Sequence, residues 1–216
     1  MLRTVSGVGI FSALAFITAF VCKPIVVGGF LSLDAKDAVI AIASFIYGPI
    51  VAPIISLISA FIEFISISET GWYGLVMNFA SSTVFSLTAS LIYKHKKSFN
   101  GAIVGFASAV AATTAVMLLL NIFVTPIYFT SEGKPMTSQD VVGLLPKLLL
   151  PFNFAKSLLN SSLALLLYKP IINAMRAARL VPRSEHKAEF NKVSVITLII
   201  GGVSLLTALL VLLIIW

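Results

Sequence analysis

Long apolar runs, separated by short polar or basic connections, dominate the hydrophobic pattern of the chain. Six of these runs follow one another between Thr4 and Lys169, and a last one extends from Val193 to Trp216. A helix of about 20 apolar residues, rising about 1.5 Å per residue, crosses a hydrocarbon core of about 30 Å. The pattern therefore predicts an all-α, polytopic membrane protein with a six-helix bundle and a seventh, C-terminal transmembrane helix.

Glycines, prolines and polar residues mark where the predicted helices begin and end. The predicted segments are residues 4–27, 33–47, 50–68, 75–93, 102–128, 151–169 and 193–216. Pro151 suits the first turn of the sixth helix, because the N–H that it lacks would have no intrahelical partner there. The second segment is short for a full span, so we expect its neighbours to shelter it. Asp34 or Asp37 at its start is interpreted as a capping acid.

Two basic connections set the expected orientation of the chain in the membrane. The first is Lys94 to Lys97, and the second covers residues 181–192. Because basic connections stay on the cytoplasmic side, the N-terminus is expected in the cytoplasm and the C-terminus outside. The chain is accordingly divided into a membrane domain over residues 1–180, the basic connection over residues 181–192 and an extra transmembrane helix over residues 193–216.

The composition excludes a soluble protein and changes the meaning of the charge. Of the 216 residues, 59% are hydrophobic and 11% are charged, too few charges for a soluble surface. A net charge of +7 would favour nucleic acid in a soluble chain, but the basic residues here lie between apolar runs. No nucleic-acid partner is predicted. The single cysteine, Cys22, excludes an intrachain disulfide and a zinc site built from several thiolates.

Three polar residues share one face near the start of the sixth helix. Asn153, Lys156 and Asn160 are spaced three and then four residues apart, so their side chains lie on one side of the helix. A buried amine costs about 2.5 kcal/mol or more at the centre of a membrane unless it faces protein or water. Lys156 therefore either snorkels to the lipid headgroups or belongs to a binding surface. The asparagines on its face favour the binding surface.

Polar residues of four helices fall at the ends that the expected orientation places outside. These residues are Glu63, Ser66, Asn78, Asn121, Thr125, Asn153 and Lys156. A carboxylate facing lipid is unfavourable, so Glu63 is expected to face the bundle or an aqueous cavity, or to hydrogen-bond a serine. Half-polar helices that converge under outer loops predict an externally open pocket for a polar small molecule.

Aromatic residues lie at the same predicted ends. Trp72 is placed in an outer loop, residues 69–74, and Tyr128 closes the fifth helix beside Pro126, which is expected to kink or end that helix. Rings at such positions either sit at headgroup depth or cover a ligand. In the first helix, Ala15 and Ala19 form a small-xxx-small pair that lets another helix approach closely.

Catalysis is not predicted. The histidines, His95 and His186, fall in the basic connections, Glu63 has no second acid beside it, and no phosphate-binding loop ending in Gly-Lys-Ser/Thr occurs. A secondary transporter, with Glu63 and Lys156 as coupling groups, is the alternative from a different class. Inverted repeats and discontinuous midplane helices would favour that alternative, and neither is recognised in the sequence.

Several strings of the sequence resemble the S components of energy-coupling factor (ECF) transporters, and among them the riboflavin-specific members. The resemblance covers about residues 4–180. It rests on Ala15 and Ala19, Leu33 to Ala38, Tyr47-Gly48-Pro49, Met77-Asn78-Phe79, Asn121 to Pro126 with Tyr128 and, most specifically, Leu150 to Lys156. The seventh helix and Glu63 depart from the pattern of that family.

The resemblance implies a six-helix, non-enzymatic vitamin-binding subunit of a bacterial plasma membrane, with riboflavin as transported ligand and no cofactor. Another vitamin is the alternative ligand. The subunit would dock on a transmembrane coupling protein and two cytoplasmic ATPases, and Ala15 and Ala19 match the docking face. Asn121, Asn153 and Lys156 match polar residues that hold the flavin. The full set of candidate ligand-binding residues is Asn121, Asn153, Lys156, Asn78, Glu63, Trp72 and Tyr128.

Overall fold

The structure is a computed structural model that describes residues 2–181 and 192–215. The elements, in chain order, are α1 (Leu2–Cys22), β1 (Val26–Val27), β2 (Leu31–Ser32), α2 (Lys36–Tyr47), α3 (Val51–Ser66), α4 (Gly71–His95), α5 (Phe99–Ser131), α6 (Ser138–Leu144), a π-helical turn (Leu145–Leu149), α7 (Leu150–Ala177) and α8 (Lys192–Ile215). Within these residues, five helical segments are long and apolar enough to cross a membrane. The prediction of an all-α, polytopic membrane protein is confirmed.

Near several prolines the helices of the structure begin or end at other residues than predicted. Pro151 lies in the first turn of α7, but the chain enters that helix from a π-helical turn and not from a loop. Helices α5 and α7 also continue through Pro126 and Pro170. A proline removes one intrahelical hydrogen bond, which a membrane helix tolerates where neighbouring groups satisfy the freed carbonyl. The predicted end of the sixth helix near Pro170 is therefore wrong, and the fifth helix, predicted to reach Tyr128, continues to Ser131.

A two-stranded hairpin follows α1, where the sequence predicted only a break at two glycines. β1 and β2 are antiparallel, with Val27 opposite Leu31. Gly28 and Gly29 turn the chain with φ of 61° and 80°, values that side chains other than glycine rarely adopt. A Cβ on Gly28 would also lie 2.8 Å from Leu148 Cδ2. The hairpin therefore folds back against the start of α7.

Helix α2 is sheltered by its neighbours, as its short length predicted. Nine of its 12 residues are buried, and it packs against α1, α3, α4 and α7. Its side chains Ile40 and Ile42 join Phe11, Ile55 and Phe85 in the main hydrophobic core. At about 1.5 Å per residue α2 is too short to cross the membrane alone, and Leu33 and Asp34, which precede it, are buried.

The small-xxx-small pair in α1 packs inside the chain. Ala15 is fully buried in the main core and Ala19 is 5% exposed, on a helix that packs against α2 and α3. The predicted close approach is therefore made by helices of the same protein. Both alanines are buried in this conformation, and their expected role in docking stays a prediction.

Helix α8 packs on the outside of the bundle. It contacts α7, where Ser162 Oγ and Ser204 Oγ lie 2.9 Å apart, and it places Ala208 and Leu212 in a second apolar cluster with Leu159. Many of its other side chains are exposed, as suits a helix surrounded by lipid. Of the basic connection predicted over residues 181–192, residues 182–191 lie outside the described residues.

Candidate functional site

A cavity of about 750 Å³ opens among the ends of α1, α3, α4, α5 and α7, beside the hairpin. The polar ends of four helices predicted to converge are all part of its wall. Candidate residues that line it are Glu63, Asn78, Asn121, Tyr128, Asn153 and Lys156. Trp72 is 54% exposed and lies outside the wall, where its ring stacks on that of Tyr73 at 3.9 Å.

The amine of Lys156 forms an ion pair inside the protein. Lys156 is 8% exposed, and its Nζ lies 2.7 Å from Oδ2 of Asp34. A lysine that extends to the lipid headgroups would leave its amine exposed, whereas this amine is held by a carboxylate inside the protein. Lys156 therefore does not extend to the surface.

A second buried ion pair holds Glu63, and the sequence analysis missed its cation. Nζ of Lys36 lies 2.8 Å from both carboxylate oxygens of Glu63, and Nδ2 of Asn78 donates to Oε2 at 3.0 Å. The partner is thus a lysine and not a serine. A signal was available, because a carboxylate in an apolar helix needs a cation and few lysines occur near the predicted outer ends.

Of the two acids expected to cap α2, Asp34 accepts from the N–H of Lys36, the first residue of the helix, through Oδ1 at 3.3 Å. Residue Ala35 occupies the N-cap of α2, without a side-chain cap. A side chain of another helix also caps α2, that of Asn160 in α7. Its Oδ1 accepts from the Ala38 N–H at 2.8 Å, and its Nδ2 donates to the Asp34 carbonyl at 2.9 Å. Asp37 instead accepts a hydrogen bond from Ser82 Oγ. Asn160 therefore fastens the start of α2 to α7.

The two other asparagines of the wall are oriented by hydrogen bonds within their own helices. Nδ2 of Asn121 donates to the Met117 carbonyl at 2.7 Å, and Oδ1 accepts from Thr125 at 2.8 Å. Nδ2 of Asn153 donates to the Leu149 carbonyl at 2.7 Å. A primary amide has two N–H donors. Each asparagine therefore keeps one donor for a molecule in the cavity.

Aromatic rings form part of the same wall. Tyr73 and Tyr128 meet edge to face, with ring centroids 5.7 Å apart, and Tyr128 contacts Phe129, which contacts Phe30 on the hairpin. Phe152 lines the cavity from α7. A planar ligand can stack on such rings. Pockets for drug-sized molecules usually have volumes of about 300–1,000 Å³. The volume of this cavity lies in that range, and the arrangement of its rings suits one aromatic molecule.

An ion pair spans the edge of the cavity. Nζ of Lys23, at the end of α1, lies 3.0 Å from Oε1 of Glu69 and also donates to the carbonyl of Ile67. Glu69 is largely exposed, so this pair contributes about 0–1 kcal/mol to stability. It connects α1 to the segment between α3 and α4.

Taken together, the residues of the cavity wall offer hydrogen-bond donors, hydrogen-bond acceptors and aromatic faces for binding a small polar molecule.

Comparisons with known proteins agree on one family. The family model "ECF transporter, substrate-specific component" matches residues 3–172. A protein of Staphylococcus aureus (strain TCH60) named riboflavin transporter RibU is 29% identical over 171 residues, which cover 78% of this chain and 90% of that protein. A protein of Bacillus subtilis (strain 168) named riboflavin transporter FmnP is 27% identical over 186 residues, covering 80% and 95%.

A solved structure described as the S component of a bacterial ECF transporter has the same fold. It superposes with a TM-score of 0.67 at 29% sequence identity, and the match covers 81% of this chain and 98% of that chain. The family match spans the six-helix bundle and every wall residue described above. The chain belongs to the family of substrate-specific components of ECF transporters.

Proposed function

We propose that this protein binds riboflavin with high affinity and supplies it to an ATP-driven importer. The observation that carries the proposal is the meeting of Lys156, Asn153 and Asn121 in the wall of one aromatic-lined cavity. Two relatives, 29% and 27% identical to this chain, are named riboflavin transporters. A secondary transporter is not favoured, because the family of substrate-specific ECF components accounts for residues 3–172.

The chemistry of riboflavin suits this wall. Its flat ring system is edged by carbonyl oxygens and ring nitrogens that accept hydrogen bonds, and its tail carries hydroxyl groups. Lys156 and the free N–H groups of Asn121 and Asn153 supply donors to those acceptors. Tyr128 and Phe152 offer ring faces, and each aromatic contact adds about 0.5–1.5 kcal/mol beyond the area buried.

Titration of the purified protein with riboflavin tests the proposed ligand. We expect the flavin fluorescence to be quenched on binding, with a dissociation constant between about 1 nM and a few µM. Thiamine, biotin and folate serve as competitor controls and should not displace the flavin. If riboflavin leaves its fluorescence unchanged while another vitamin raises the unfolding temperature, the ligand assignment is wrong and the family assignment stands.

We further propose that the protein works in a bacterial plasma membrane with its cavity open to the outside. The basic Lys94–Lys97 stretch, at the end of α4 away from the cavity, supports a cytoplasmic location for that end. The N-terminus is then cytoplasmic and α8 ends outside. As the resemblance to the family implies, the partners are a transmembrane coupling protein and two cytoplasmic ATPases, and the ATPases hydrolyse the ATP.

Helix α8 is proposed to be dispensable for ligand binding. None of its described residues lines the cavity, and the family match ends at residue 172. A chain that ends after Val181 is expected to bind riboflavin with a dissociation constant within about tenfold of the full chain, or about 1.4 kcal/mol. Fluorescence titration of the two proteins in the same detergent measures this. A larger loss would show that α8 supports the Phe152 side of the wall.

A further inference from the structure

Lys36 is a buried cation outside the set of candidate ligand-binding residues predicted from the sequence. Its side chain is 1% exposed and does not line the cavity. Its Nζ reaches both oxygens of Glu63 at 2.8 Å, and its backbone N–H donates to Oδ1 of Asp34 at 3.3 Å. Lys36, which lies behind the cavity wall, therefore contacts Asp34 and Glu63, two carboxylates that line the cavity.

The contacts of Glu63 leave it partly available. A carboxylate has about four sites at which it can accept a hydrogen bond. Lys36 uses one on each oxygen, and Asn78 uses another on Oε2. Glu63 also lines the cavity, so its remaining acceptor capacity is directed at a molecule held there. Such a carboxylate accepts from a donor group, in contrast to Lys156 and the asparagines, which donate.

The two ion pairs divide two lysines between two carboxylates. Lys156 pairs with Asp34 and Lys36 pairs with Glu63. Without Lys36, Glu63 would be a buried charge with no cation beside it. The other buried lysine at the cavity is Lys156. Because a buried carboxylate strongly attracts an available cation, Lys156 would be shared between both acids and withdrawn from the ligand.

We propose that Lys36 is a positioning residue of the cavity, which holds the Glu63 carboxylate as an acceptor for a hydroxyl or ring N–H of the ligand and keeps Lys156 available to the ligand's acceptors. This inference rests on the proposed function for the identity of the ligand. It explains why a lysine with no access to the cavity is buried beside it.

The test compares three variants: Lys36→Met, Glu63→Gln and the double variant that combines them. We expect each single variant to raise the riboflavin dissociation constant by about tenfold or more, since each leaves one buried charge unpaired. The double variant keeps an amide acceptor and has no unpaired charge, so it should return to within about threefold of the unaltered protein. Lys147→Met, which replaces an exposed lysine, is the matched control and should change nothing.

Ligand selectivity separates positioning from a purely structural role. The probes are lumiflavin, which lacks the hydroxylated tail, and 3-methylriboflavin, which lacks the ring N–H. The unaltered protein should prefer riboflavin over at least one of them, and Lys36→Met should reduce that preference while the double variant restores it. An unchanged preference in folded Lys36→Met, or a double variant as weak as the single ones, would overturn the proposal.

A ligand-free measurement keeps this test apart from the test of riboflavin binding. Thermal unfolding of the unliganded proteins should show lower unfolding temperatures for both single variants and a recovery in the double variant. No recovery would overturn the ion pair on which the inference stands. Failure of the unaltered protein to bind riboflavin would instead overturn the proposed ligand.

Discussion

Replacing Lys156 with methionine is expected to weaken riboflavin binding and to destabilise the unliganded protein. Methionine has a similar length but no charge, so Asp34 loses the cation 2.7 Å away and remains buried. Breaking a buried ion pair in this way costs about 3–5 kcal/mol of folding stability. Binding loses a further hydrogen-bond donor at about 1–3 kcal/mol, roughly a 5- to 150-fold rise in the dissociation constant.

Two measurements separate these effects. Thermal unfolding of the ligand-free protein reports the broken ion pair, and flavin fluorescence titration of the folded fraction reports the missing donor. Adding Asp34→Asn should recover stability, because it removes the unpaired charge, but should not recover the donor. Lys134→Met, at an exposed lysine in the connection before α6, serves as control. Normal binding by Lys156→Met would show that the lysine supports the structure only.

The apolar runs and the spacing of polar residues predict most of the fold and one wall of the cavity. Both depend on local periodicity: a helix brings residues three and four apart onto one face, and burial in lipid keeps polar groups at helix ends. Asn153, Lys156 and Asn160 are therefore found together and buried, as their spacing indicates. Their common face could be predicted without knowledge of any neighbouring helix.

The partners of these groups could not be predicted in the same way. Asp34 meets Lys156 across 122 positions of the chain, and Lys36 meets Glu63 across 27. Such pairs depend on how α2, α3 and α7 are arranged, which hydrophobic periodicity does not encode. Treating Asp34 as a cap was reasonable from local sequence, because an acid before a helix commonly has that role, but the ion pair is determined by tertiary structure.

Two further differences have the same origin. A small-xxx-small pair predicts that some helix comes close, and it leaves open whether that helix belongs to the same chain; for Ala15 and Ala19 the structure has neighbours within the chain. Trp72 and Tyr73 are adjacent, so on a helix they point about 100° apart. Both were predicted to lie in a loop, whereas α4 begins at Gly71 and turns only Tyr73 to the cavity.

Asn160→Leu is expected to be among the most destabilising single substitutions in the bundle. Leucine has the same branched shape but cannot replace the hydrogen bonds to the Ala38 N–H and the Asp34 carbonyl. The side chain is fully buried, so no water compensates for these bonds. Leaving each of the two backbone groups unpaired costs about 1–3 kcal/mol, which sums to about 2–6 kcal/mol. Riboflavin binding should also weaken, because Asp34 is no longer held in place beside Lys156.

Ser161→Ala provides the matched control for this substitution. Ser161 is the next residue in α7 and is also buried, but its hydroxyl donates only to the Ser157 carbonyl one turn earlier in the same helix. That carbonyl keeps its helical hydrogen bond when the hydroxyl is removed, so the unfolding temperature should change little. If Asn160→Leu unfolds at the same temperature as Ser161→Ala, then the connection between α2 and α7 does not depend on Asn160.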